Sequence, residues 1–128
     1  MPVEIKNLNG EVIYVFPGDT LVGANLSGKN LTRADLRDRD LTQIDLENAH
    51  CRGADFSRSV MKNAWMVYIR ATSATFRETD LEGANIERGN LEEADLLEAK
   101  NWNKLKNDFQ LKLAGARLPD GQIVPKGS

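Results

Sequence analysis

Next to each other in the chain stand its one histidine and its one cysteine, His50 and Cys51, the residue types from which a thiolate nucleophile and its base are made. Nineteen Asp and Glu residues accompany them, enough for acid/base pairs or a cation site if the fold gathers two or three together. No glycine-rich phosphate loop precedes a helix and no Gly-x-Ser-x-Gly elbow occurs. A zinc site would need more Cys or His ligands than the sequence supplies. Whether the remaining chemistry is available depends on the elements that hold these side chains.

From Leu21 to Leu96 every fifth residue is apolar: Leu21, Leu26, Leu31, Leu36, Leu41, Leu46, Cys51, Phe56, Met61, Met66, Ala71, Phe76, Leu81, Ile86, Leu91 and Leu96. At a hydrophobic fraction of 41%, sixteen successive hits arise by chance with odds on the order of one in a million, so the register is specified. Helices repeat at 3.6 and simple strands at 2, and a step of five fits neither. If each pentad forms one short side of a closed coil, its central residue points inward together with the residue two before it. Those partners are small: Ala24, Ala34, Ala49, Ala54, Ser59, Ala64, Ala74, Thr79, Ala84, Gly89 and Ala94. The residue just before the centre is mostly Asn or Asp (Asn25, Asn30, Asp35, Asp40, Asp45, Asp55, Asp80, Asn85, Asn90, Asp95), types whose side chains bond local backbone in turns. On this geometry Cys51 points inward and His50 outward, on opposite sides of the wall, and the repeated Asp residues are explained by turn chemistry. No catalytic, cofactor or metal residue is expected, and the chain reads as a non-enzyme.

The units Ala24-Asn25-Leu26, Ala34-Asp35-Leu36, Ala54-Asp55-Phe56, Ala84-Asn85-Ile86 and Ala94-Asp95-Leu96 resemble the A(D/N)LXX motif of the pentapeptide-repeat family over residues 19–100. The resemblance implies an all-β solenoid, a right-handed quadrilateral parallel β-helix with four pentads per turn. Sixteen pentads make about four coils, a stack roughly 19 Å tall, without a projecting loop. Residues 1–18 read as an N-terminal capping hairpin, two apolar runs around Asn9-Gly10. In residues 101–128, Trp102, Leu105, Phe109 and Leu113 recur at helical spacing and predict a short C-terminal helix. That stripe either seals the last coil or joins two copies into a homodimer, since the family includes dimers built through their C-terminal ends. Leu118-Pro119-Asp120-Gly121 reads as a turn and 125–128 as a loose end.

Outward positions carry what functional signal there is. Trp65, Val67 and Tyr68 fall on one wall with Val60 near its corner, an apolar cluster that reads either as a protein interface or as packing against long neighbours. Lys29 and Arg39 fall on inward positions of the first coil, where a splayed coil would let them reach water or acidic partners; the alternative is an anion site. Glu78, Asp80, Glu82, Glu87, Glu92, Glu93, Asp95 and Glu98 face a single cation, Arg88, and make the last coil an acidic collar. Some pentapeptide-repeat proteins inhibit or protect DNA gyrase through a DNA-like acidic rod. DNA carries a charge every ~1.7 Å, a density only that collar approaches. The leading expectation is therefore a scaffold that binds a protein partner, with mimicry of DNA toward an enzyme such as gyrase as the alternative. The formal net charge of −2 argues against direct nucleic-acid binding. The longest apolar run, residues 64–69, is far below a membrane span, and the start lacks a signal peptide's basic and apolar regions. With one cysteine there is no internal disulfide, and the expected compartment is the cytoplasm.

Overall fold

Each of the five backbone N–H groups in a pentad must find an acceptor, and where they go builds the structure. In residues 44–48, Ile44 N–H donates to Leu41 O within the coil (3.1 Å), and Asp45 N–H donates back to Ala24 O (2.9 Å). Leu46 N–H donates forward to Trp65 O (2.7 Å) and Asn48 N–H to Val67 O (3.1 Å). The fifth donor, Glu47 N–H, is taken by the Asp45 carboxylate at 3.0 Å. This is why Asn or Asp precedes the central residue: the side chain accepts the one amide the ladder leaves over. The same bond recurs at Asn25, Asn30, Asp35, Asp40, Asp55, Asp80, Asn85, Asn90 and Asp95.

In the computed structural model, which describes residues 1–127, parallel bridges join residues 20 apart from Asn25↔Asp45 to Asp80↔Lys100. Four pentads therefore complete one coil, and the outward residues sort into four walls. The tryptophan wall contains 45–48, 65–68 and 85–88. The arginine wall contains 30–33, 50–53, 70–73 and 90–93. The ion-pair wall contains 35–38, 55–58, 75–78 and 95–98. The fourth wall contains 40–43, 60–63 and 80–83.

The interior is filled by the central residues and their small partners, from Leu21 to Ala99, nearly all fully buried. Phe56 and Phe76 stack with centroids 4.9 Å apart and planes 7° apart, one strand spacing, so consecutive coils lie in register. Ile44 and Ile69 take the slot that, past the first coil, is otherwise small. Each is bracketed by small residues one coil away, Ala24 and Ala64 for Ile44, Ala49 and Gly89 for Ile69. A Cβ on Gly89 would stand 3.3 Å from Ile69 Cγ2. Ser59 and Thr79, the polar members of this column, donate their hydroxyls to Leu36 O and Phe56 O, and among the described residues no buried polar side chain lacks a partner.

Both ends are covered. Strands β1 (Val3–Asn7) and β2 (Val12–Phe16) form an antiparallel hairpin, and β1 also pairs antiparallel with β3 (Ala34–Asp35) of the first coil. Ile5 is fully buried there, with Val3, Ile13, Tyr14 and Phe16 packed beside it. Lys29 and Arg39 reach out to this hairpin, Lys29 Nζ lying 5.1 Å from the Tyr14 ring centre and Arg39 donating to Glu4 O at 3.4 Å.

The C-terminal end departs from the expected helix. Trp102–Lys104 forms one 3₁₀ turn, and the ladder then resumes with two residues inserted: Asn85↔Asn107, Asn90↔Lys112 and Asp95↔Arg117. The spacing of Trp102, Leu105, Phe109 and Leu113 is thus a pentad pattern broken by the insertion, since the exposed carbonyls of the fourth coil capture the chain as a further coil. Trp102, Leu105 and Leu113 pack on the core, whereas Phe109 is exposed. Leu118–Gly121 does turn, and the chain folds back to pair Arg117 antiparallel with Ile123. Of the expected loose end, Ser128 lies outside the described residues. No described helix is long and apolar enough to cross a membrane.

Two predictions follow from the filled interior and its turns. Cys51 is fully buried, and burial pushes its thiol up to about 12. A thiol reagent at pH 8 should titrate no cysteine in the native protein and one after denaturation; prompt native labelling would contradict the burial. The Arg37 and Arg58 guanidinium groups hold Asp35 and Asp38 below the usual carboxylate range, and the Thr42 hydroxyl and amide do so for Asp40. Folded values below unfolded ones mean stability is complete above the unfolded range near about 4 and is lost as pH falls through the folded values. Melting temperature should be level between about pH 5 and 7 and fall below about pH 4; a melting temperature that rises in acid would contradict this.

Candidate interaction surface

The His50 and Cys51 side chains lie on opposite sides of the wall, one exposed and one sealed in the core. Their sequence adjacency is a by-product of the step of five. Most of the repeated Asp carboxylates accept a local turn amide, and several also pair with a cation.

The tryptophan wall is different in kind. Trp65 is 42% exposed, Tyr68 48% and Phe109 55%. Phe109 joins the wall because the inserted turn sets residues 107–110 beneath 85–88. Arg88 lies between the rings of Tyr68 and Phe109, 5.9 and 5.2 Å from their centres, and bonds Gln110 (3.0 Å) and Glu87. Trp65 Nε1 donates to Glu47 at 2.6 Å, which fixes the indole across the wall. Val67 is half-buried on the same wall, and Val60 sits on the fourth wall, bridged to Asp40 and Asp80. Tyr68 has φ 60° and is the one aromatic residue among the described left-handed positions, an uncomfortable conformation for a bulky side chain.

A signal for this region was present in the sequence and concerns what is missing. Between Asn25 and Asp95 the pre-central residue is something other than Asn or Asp at five places: His50, Val60, Trp65, Arg70 and Thr75. Four are consecutive and make up the third coil. There the turn-capping carboxylate or amide is exchanged for a side chain directed outward.

The acidic collar is not the last coil, and five of its eight carboxylates are paired with a cation. Lys62 lies 3.9 Å from both Asp80 and Glu82, Arg77 bonds Asp95 (2.6 Å), Arg88 bonds Glu87, and Lys126 bonds Glu93 (2.8 Å). Beneath it lies the further coil with Lys106, Lys112 and Arg117. Glu78, Glu92 and Glu98 make no ion pair among the described residues. The stripe expected on a helix is divided: Trp102, Leu105 and Leu113 pack on the core and Phe109 is exposed.

Comparison with known proteins agrees with this architecture. The family model described as pentapeptide repeats matches residues 40–67 and 70–100, with eight copies. A search of curated proteins gives no significant match. Among solved structures, the pentapeptide repeat protein Rfr23 from the cyanobacterium Cyanothece 51142 superposes with a TM-score of 0.61 at 26% identity, covering 94% of this chain and 78% of that one. HetL from a Nostoc cyanobacterium, a pentapeptide repeat protein involved in heterocyst differentiation regulation, is 27% identical with a TM-score of 0.38, over 80% of this chain and 54% of that one. A pentapeptide repeat protein of the Arabidopsis thaliana thylakoid lumen is 26% identical with a TM-score of 0.41, over 80% and 70%. The uninterrupted step of five, the 20-residue ladder and the family match together identify residues 40–67 and 70–100 of this chain as pentapeptide repeats.

Proposed function

We propose that this protein is a non-enzymatic scaffold, a right-handed quadrilateral β-helix whose tryptophan wall binds a protein partner. The observation that carries this reading is the exposure of Trp65, Tyr68 and Phe109 on a single wall. Large half-exposed aromatics on a rigid surface are the side chains most enriched at interface hot spots. Being held by Glu47 and by the Arg88 sandwich, they lose little freedom on association. A filled solenoid has walls and no enclosed active-site cleft, which suits binding more than catalysis. The buried, unpaired Cys51 suits the cytoplasmic location expected from the sequence.

The rival reading, mimicry of DNA toward an enzyme such as gyrase, requires a dense and uncompensated run of carboxylates. Five of the eight collar carboxylates are paired with cations, which weighs against it.

Affinity capture from the source cell with wild-type bait should retain a partner that the Trp65→Ala/Tyr68→Ala double variant loses. A pair of aromatic hot spots corresponds to a weakening of at least about thirtyfold, while the melting temperature stays near that of the wild type. Retention of the same proteins by both baits would reject the wall as the interface. A gyrase supercoiling assay that shows inhibition abolished by Glu92→Gln and Glu98→Gln would favour the rival.

A further inference from the structure

The arginine wall carries a second, chemically distinct feature. Arg33, Arg52 and Arg70 occupy three successive coils of one wall, all exposed, beside the exposed His50. Among the described residues none of the three arginines forms an ion pair. The adjacent ion-pair wall is the internal comparison. There Arg37, Arg58 and Arg77 fall on the same coils, and each is bonded to a carboxylate, Asp35, Asp38 and Asp95 respectively, at 2.6–2.9 Å. On one wall every one of these arginines is thus held by a carboxylate of the same wall, and on its neighbour none is, although like charges on adjoining strands repel.

Two details favour use of this charge from outside. At 50 and 70 the sequence gives up the turn-capping Asn or Asp in favour of His and Arg, so turn chemistry is exchanged for outward basic or imidazole groups. Gly53 lies below Arg33, where a Cβ would come 3.3 Å from Arg33 Cγ, and so leaves space for its stem against the wall. Below Arg52 a groove is lined by Thr72, Ser73, Glu92 and Glu93, adding hydroxyl donors beside the guanidinium group.

We propose that the arginine wall binds an extended acidic segment of a protein partner, carboxylate side chains lying against Arg33, Arg52 and Arg70. The three arginines step diagonally across two coil spacings, about 10 Å in height, with neighbouring arginines about 6–8 Å apart along the diagonal. Alternate side chains of an extended peptide recur at roughly 7 Å on one side, a matching interval. A nucleic-acid strand suits the wall less well. Its outward positions carry no Phe, Tyr or Trp for base stacking, and Glu92 and Glu93 end the cationic track after three coils. The surface adjoins the tryptophan wall at Arg70, which shares a pocket with Tyr68 and Arg88, while Arg33 and Arg52 lie farther round the coil, so variants at Trp65 and at Arg33 or Arg52 tell the two readings apart.

The probe is a fluorescein-labelled seven-residue peptide of alternating glycine and glutamate, followed by fluorescence anisotropy at about 0.15 M ionic strength, where charges more than about 8 Å away are screened. Wild-type protein should bind it, and Arg33→Gln/Arg52→Gln/Arg70→Gln should weaken binding at least about tenfold, each lost exposed contact contributing about two- to fivefold. Arg37→Gln/Arg58→Gln/Arg77→Gln removes the same charge from the neighbouring wall and should change affinity less than about twofold. Trp65→Ala should leave it unchanged. If the first triple variant fails to melt cooperatively, Arg52→Gln and Arg70→Gln singly should each show the two- to fivefold loss. Absence of peptide binding, equal weakening by both triple variants, or tighter binding of a thymidine tetranucleotide through the same arginines would each overturn the proposal.

Discussion

Everything in this molecule hangs on one backbone constraint: a pentad has five N–H groups, and the coil can place only four of them on backbone carbonyls. Three go to neighbouring coils and one closes the turn, which leaves the amide after the central residue. A buried or half-buried amide without an acceptor costs of order 1–3 kcal/mol, and the cost would recur at every pentad. Asn and Asp before the central residue remove it locally, because their short side chains accept that amide two residues on. The coil spacing, the inward alternation of large and small residues and the sorting of charges onto four walls all follow from this repeated solution.

Function enters where the solution is relaxed. The third coil forgoes the capping side chain at Val60, Trp65, Arg70 and Thr75, while the core runs through it unbroken, with Phe76 stacked on Phe56 and Ile69 over Gly89. Local rules broken without a structural return are where selection for something outside the chain is expected to show. Two walls use the freedom differently. One displays indole and phenol rings steadied by Glu47 and Arg88, and the other displays guanidinium groups without internal partners.

The repeat architecture was legible because its signal, one apolar residue every fifth position, needs no knowledge of long-range contacts. So were the hairpin at residues 1–18, written in alternating apolar residues around Asn9-Gly10, and the opposed directions of His50 and Cys51. The C-terminal end was misread for a physical reason. Two inserted residues shift the pentads, and apolar residues at 102, 105, 109 and 113 then imitate a helical stripe. What decides the matter is a row of open carbonyls on the preceding coil, which a sequence window does not contain. The acidic collar failed similarly: its carboxylates are neighbours of cations twenty or so residues away, such as Lys62 and Arg77. Net charge along the chain cannot report that pairing. The misplaced stripe also hid Phe109, which belongs with Trp65 and Tyr68.

Residue-resolved hydrogen exchange of the native protein tests the central claim most directly. Amides of the ladder, such as Asp45, Leu46, Trp65 and Met66, should be strongly protected at a period of five, and that pattern should resume after the Trp102–Lys104 turn and continue through Lys112 and Arg117. Amides following a central residue should exchange fastest in the third coil, at Lys62, Val67 and Thr72, where no capping Asn or Asp precedes them. Protection that ends at Lys100, or that runs continuously across residues 101–113 as in a helix, would contradict the account.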